Sequence, residues 1–468
     1  MNVSCAKSLV LGLLLMASAV VSAQPPLKLP AILGDHAVLQ QNADVKLWGW
    51  APCTWPLKIS CSWSPADTVS VMPGRDCSWS AVVKTPKAGG PYTITFISAK
   101  QKKVIGDILT GEVWLCSGQS NMEFSFNWGI LDGHNEVAEA SDNAIRFFRI
   151  SHSYNNFPQT ECDGQWVVAS PQSVADMSVA GYIFGKRIHE YTKAPVGLIA
   201  SYWGGTSVQV WIPEEILDRD NGLKSKAGRL KPVSWSPVEP SVIYNAMIYP
   251  LVPFKIAGAI WYQGEANTEY PQDYGALFKA LISGWREAFC DDFPFYFAQI
   301  APWSGYAGLS AALLREQQES ALSMFKTGMI NVSDLVNDVK DIHPKLKVTV
   351  GNRFAGLALK ECYGATDINP YFPRFASLEL HGGNAVVKVA SAGKLICRDH
   401  EIAGFQIAGN DRKFYPAKAK PDRNGLIVLH SDLVPEPVAV RYCFTNDAIP
   451  NLFDVNGLPL LPFRTDPW

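Results

Sequence analysis

Apolar and polar residues alternate with period two over residues 43–50, 57–61 and 92–96, the pattern of half-buried strands. Pro-Gly and Gly-Gly breaks separate these runs. Together they predict an all-β segment over residues 24–108, a small sandwich. Near residue 109 the period changes. Short apolar runs at 113–116, 196–200, 258–262, 295–300 and 329–332 alternate with helical stretches at 181–191, 274–289 and 311–324. In the clearest helix, Phe278, Ile282, Trp285 and Phe289 share one face. Strands alternating with helices predict an α/β block over residues 109–370, a doubly wound, mostly parallel sheet with helices on both faces. Such sheets carry their sites at the carboxyl ends of the strands. Over residues 371–468 short strands return, at 376–380, 385–389, 425–429 and 439–443, and predict a second sandwich segment.

The amino terminus has a different pattern. Lys7 precedes an apolar run from Ser8 to Met16, and Val21-Ser22-Ala23 is a small-residue cleavage site. Residues 1–23 therefore read as a signal peptide cleaved after Ala23, which predicts a secreted or periplasmic protein. No later stretch has the ~20 apolar residues of a membrane span. Beyond Cys5 nine cysteines remain, an odd number; an oxidising compartment predicts that some pair and at least one does not.

Composition narrows the function classes. With 41 Lys+Arg against 43 Asp+Glu the chain lacks the basic footprint of a nucleic-acid binder. The eight histidines (His36, His134, His152, His189, His343, His381, His400 and His430) show no metal-ligand spacing, so no metal is expected. Asn331-Val332-Ser333 matches the glycosylation pattern but falls in or beside a core strand, where modification is not expected.

Four signals fall at the ends of strands of the α/β block. Gly118-Gln119-Ser120-Asn121 follows the first apolar run and can present Ser120 as a nucleophile, with its N–H aimed at an oxyanion. Asp341-Ile342-His343-Pro344 supplies a base in a stiffened loop. Gln263-Gly264-Glu265 can present an amide to the oxyanion, and Gly204-Gly205 a further backbone N–H. Each has an ordinary reading too: a helix cap for Ser120, a surface or core residue for His343, a polar junction for Gln263 and Glu265. Together they describe an acyl-transfer site.

These motifs resemble the sialate O-acetylesterase family, a branch of the SGNH hydrolase superfamily. The resemblance rests on Trp114-Leu115-Cys116-Ser117-Gly118-Gln119-Ser120-Asn121-Met122, Trp203-Gly204-Gly205-Thr206, Tyr244-Asn245-Ala246-Met247-Ile248, Trp261-Tyr262-Gln263-Gly264-Glu265 and Ile342-His343-Pro344, together with Asp35-His36-Ala37-Val38-Leu39-Gln40 in the β segment. It implies an SGNH-like fold and a carbohydrate esterase that removes O-acetyl groups from a sugar or glycan without metal or cofactor. Ser120 would be the nucleophile, His343 the base, Gly205 and Gln263 oxyanion donors, and Asn121, Glu265 and Asn245 supporting residues. The superfamily's acid stands three residues before the His, where this chain has Lys340. Asp341 is favoured instead, with Asp334, Asp338 or a backbone carbonyl as alternatives.

Competing readings are the same chemistry on xylan or another polysaccharide, a glycan-binding module without catalysis, and a glycosidase using two of Glu112, Glu123 and Glu265. A sialic acid carboxylate would call for an Arg or Lys in the pocket, with Arg187, Arg286, Arg315 and Arg353 all in the α/β block.

Overall fold

The structure is a computed structural model and describes residues 26–468 apart from 392 and 424. The predicted signal peptide lies outside the described residues. Among the described residues no helix is long and apolar enough to cross a membrane.

One strand organises the molecule. Gln101–Gly118 begins in the amino-terminal β segment, antiparallel to Gly89–Ser98, and ends in the centre of the α/β sheet. Its first half is amphipathic; from Ile108 onward every residue is buried, because the strand there is covered on both faces. The boundary expected after residue 108 falls inside this strand. The central sheet runs Thr327–Ile330, Phe295–Ala298, Gly258–Tyr262, Gln101–Gly118, Val196–Tyr202, Asp142–Ile150, Gly164–Ala169. All neighbours are parallel except the last pair. The antiparallel edge strand Gly164–Ala169 and its partner Asp142–Ile150 are elements that the sequence pattern did not single out.

Side chains of the central strands divide between two helical layers. Trp114 packs edge-on against Phe184 of the Val179–Thr192 helix, and its Nε1 donates to Tyr363 of Lys347–Tyr363. Trp261 packs instead against Phe278 and Trp285 of Pro271–Phe289, whose apolar face the sequence displayed. After the Gln101–Gly118 strand the chain builds first one side of the sheet and then the other. The carboxyl end of that strand is therefore a topological switch point, where a crevice opens.

The amino-terminal segment is not a separate body. Leu47, Ile59, Trp79 and Phe96 belong to the same continuous hydrophobic core as Trp114 and Trp261. The carboxyl-terminal strands have their own core: Ala385, Val387, Phe405, Ile407, Leu429 and Tyr442 lie between two four-stranded sheets. None of the nine described cysteines is in a disulfide, so the expected pairing is not present; Cys61, Cys116, Cys162 and Cys443 are buried among apolar residues. Asn331 is fully buried, and its side-chain nitrogen donates to Gln299 at 2.7 Å, which fits the expectation that it is not a glycosylation acceptor.

Candidate active site

A cavity of about 700 Å³ opens at the switch point. Gly118 ends the Gln101–Gly118 strand at φ +137°, where a Cβ would fall 2.2 Å from the Tyr262 carbonyl oxygen. Only glycine allows that approach. It lets the Gln119 N–H donate to Tyr262 at 3.0 Å and sets Ser120 at the start of the short Ser120–Glu123 helix, with its N–H free of any intrahelical acceptor.

His343 Nε2 and Ser120 Oγ are 2.9 Å apart, and both residues line the cavity. Burial and the nearby positive charge of Lys347 hold the imidazole below its ordinary pKa, against the opposing pull of Asp341. The ring is therefore neutral at neutral pH and can accept a proton. Asp341 lies 3.9 Å from Nδ1 and accepts the backbone N–H of His343 at 2.9 Å, so its carboxylate shapes the loop more directly than it grips the ring. The other two acids are committed elsewhere. Asp334 forms a two-pronged ion pair with Arg353, both bonds 2.7 Å, and Asp338 accepts from the Lys340 N–H at 2.9 Å.

The loop after Val196–Tyr202 is tied to the Ser120–Glu123 helix. Gly204 N–H donates to Glu123 Oε2 at 2.7 Å, Glu123 Oε1 lies 3.2 Å from His152 Nε2, and the His152 ring stacks on Trp203 at 4.7 Å. Gly205 lines the cavity at φ +76° with the Trp235 indole 2.8 Å from where a Cβ would sit. Ser120 lines the same cavity.

Gln263 does not reach the cavity, contrary to the direct oxyanion role expected for it. It is fully buried; Nε2 donates to Thr206 O at 3.1 Å and to Asn267 Oδ1 at 2.8 Å, while Oε1 accepts from Tyr274 at 3.0 Å. Both amide hydrogens are thereby used, and the side chain instead ties the Thr206 turn to the loop after Gly258–Tyr262. Asn245 also lies away from the nucleophile. It donates to Asn155 O at 3.1 Å and fixes the loop that carries Tyr154.

Behind Ser120 lies a polar cluster that the motifs showed only in part. Asn121 Nδ2 donates to Glu265 Oε1 at 2.5 Å and to Ile342 O at 3.2 Å, while Asn121 Oδ1 accepts from Lys347 Nζ at 2.5 Å. Asn121 thus links the nucleophile's helix to the residue before His343. Burial raises the Glu265 carboxyl above its usual range and holds Lys347 down to about 7. Lys347 Nζ also lies about 5 Å from the ring centres of Phe124 and Tyr262. Lys347 was missed because its helix was not among those read; its signal was its place four residues after His343. Gln119, quoted in a motif without a role, anchors its Oε1 to the N–H groups of Gly264 and Ala266, both at 3.3 Å, beside the nucleophile.

The far wall, carrying Trp303 and Tyr306, is braced by the carboxyl-terminal segment. Asn446 receives the Ala311 N–H at 3.0 Å and donates to the Tyr306 and Gly308 carbonyls at 3.0 and 2.8 Å. None of the four arginines considered from sequence lines the cavity; Arg187, Arg286, Arg315 and Arg353 are bonded to Asn352, Phe293, Thr445 and Asp334. Its basic lining residue is Lys231.

Residues 110–360 match the family model described as carbohydrate esterase, sialic acid-specific acetylesterase. The chain belongs to this family. It is an esterase by that membership, and its substrate is an acetylated carbohydrate. The chain is 26% identical to the sialate O-acetylesterase of Rattus norvegicus, with 88% of each chain covered. Against the sialate O-acetylesterase of Homo sapiens the identity is 27%, covering 92% of this chain and 91% of that one. The crystal structure of a carbohydrate acetylesterase from Xanthomonas citri superposes with a TM-score of 0.85 at 34% identity, over 94% of this esterase and all of that chain (100%).

Proposed function

We propose that this esterase removes O-acetyl groups from sialic acids by Ser-His catalysis on an SGNH-type fold. The observation that carries the reading is the 2.9 Å contact between Ser120 Oγ and His343 Nε2 in a cavity that Gly205 also lines. Ser120 Oγ attacks the acetyl carbonyl as its proton passes to His343 Nε2. The carbonyl oxygen gathers negative charge against the Ser120 and Gly205 N–H groups. Collapse of the intermediate breaks the ester C–O bond, and His343 returns the proton to the departing sugar hydroxyl. Water, deprotonated by His343, then attacks the acetyl-enzyme and releases acetate and free Ser120.

The sialate assignment is supported by the family and by Lys231, a cation that can meet a sugar carboxylate at the cavity wall. Residues 1–23 support export of the mature chain to the periplasm or outside the cell. The test is acetate release by the purified mature chain from O-acetylated sialic acids, acetylated xylan and an aryl acetate, beside Ser120→Ala. Ser120-dependent release, fastest from sialic acids, is expected. Faster release from xylan would move the same chemistry to a neutral polysaccharide, and undiminished turnover by Ser120→Ala would remove the mechanism.

A further inference from the structure

Beyond Trp235 the catalytic cavity continues into a second one of about 520 Å³. The two share Val233, Trp235, Ser236 and Val238 as a common wall. The second cavity is floored by aromatic rings. Tyr154 and Trp203 have centroids 6.3 Å apart, and His152 covers one face of Trp203. Tyr154 and Trp235 are 60% and 67% exposed, so both rings stand open to solvent at this cavity. Their backbones are nonetheless held in place. Asn155 N–H donates to Val242 O at 2.9 Å, Asn245 binds Asn155 O, and Ser236 Oγ donates to Gly205 O at 3.1 Å.

Flat rings on a fixed frame, edged by the polar side chains of Asn156, Ser234 and Glu239, match the two surfaces of a pyranose. Its C–H face stacks on an aromatic ring while its hydroxyls need donors and acceptors around the rim. A sugar with its ester carbonyl at Ser120 would stand in a cavity whose wall is shared with the second one. We propose that the second cavity binds the sugar unit adjoining the acetylated one, so that the enzyme takes its substrate as an oligosaccharide or glycan-linked residue. This rests on the esterase reading above, and it adds a binding site that the reaction itself does not require.

The test compares kcat/KM within two matched pairs: O-acetylated sialyllactose against free O-acetylated sialic acid, and O-acetylated xylotriose against an O-acetylated methyl xyloside. An aryl acetate serves as the control for chemistry. The wild type is expected to favour the oligosaccharide in at least one pair. Tyr154→Ala should cut that oligosaccharide's kcat/KM by about 3- to 10-fold through KM, a loss on the scale of one aromatic contact, and leave the monosaccharide and aryl acetate unchanged. Trp235→Ala should cut it further. No oligosaccharide preference in either pair, turnover of neither pair included, overturns the proposal, as does an equal loss on all substrates in Tyr154→Ala. If Ser120-dependent aryl acetate turnover persists in any of these cases, only the second site falls. If Ser120→Ala keeps its turnover, the esterase mechanism falls and the second site with it.

Discussion

In the floor behind Ser120, Asn121 joins the buried Glu265 and Lys347, and Gln263 is buried in a separate set of bonds to Thr206, Asn267 and Tyr274, whereas along the cavity wall Lys231, Val233 and Trp235 stand in solvent. Asn121, Gln263 and Lys347 each find hydrogen-bond partners there, and each partner fixes another loop, while Glu265 bonds through Oε1 and leaves Oε2 without a partner. Lys347, Asn121 and Ile342 in this way tie the His343 loop to the helix that carries Ser120. The exposed wall residues are under no such constraint, because solvent can serve their polar groups. The floor behind Ser120 and the wall of the same cavity are thus built by different physical means.

That contrast predicts effects of very different size. His343→Ala should lower kcat by about 10⁴-fold or more with little change in KM, because the base acts only in the transition state. A loss in KM alone, measured by steady-state acetate release, would move His343 from chemistry to binding. Gln263→Ala removes the donor to Thr206 O, at about 1–3 kcal/mol if that carbonyl is not re-solvated, while Asn267 Oδ1 keeps the Val208 N–H and Tyr274 OH keeps the backbone carbonyl of residue 263. A lowered Tm is therefore expected, with a kcat loss smaller than the ~100- to 1000-fold of a deleted oxyanion donor. An unchanged Tm with a loss of that full size would restore Gln263 to the oxyanion.

The pH profile sharpens the same division. His343 must be neutral to act, and its pKa is held below 6.5, so activity should persist below that pH and fall as the pH drops through the folded value. Lys347, held near 7, is charged where His343 titrates. Lys347→Met removes that charge and should move the acid limb of kcat/KM upward; an unmoved limb would deny the electrostatic coupling. The smallest effect is expected at the wall. Lys231→Met should raise KM for an acetylated sialic acid about 3- to 10-fold and leave an aryl acetate unaffected, since an exposed charge is screened. Equal KM values for mutant and wild type on both substrates would place the sugar carboxylate elsewhere.

The floor was legible in the sequence because its residues sit directly after apolar strands, and a strand end in an α/β block has a known position. The strand at Gly258–Tyr262 was read to the residue. What each polar side chain does was less legible. Gln263 and Asp341 stand at the right loops, but a one-dimensional pattern does not say which way an amide or carboxylate turns; competition from Thr206, Asn267 and the His343 backbone decides it. The Lys347–Tyr363 helix went unread, and with it the buried cation. The wall was not legible at all. Residues 230–239 carry no periodicity, and only the three-dimensional path of the chain brings Trp235 over Gly205.

The central claim is that the acetyl group passes through Ser120. Rapid mixing with excess acetyl ester, acid quenching and peptide mapping by mass spectrometry would test it directly. The account predicts an acetyl group on the peptide containing Ser120, formed in a burst and absent from Ser120→Ala. Steady turnover with that peptide unmodified at every time, or the same acetylation in Ser120→Ala, would contradict it.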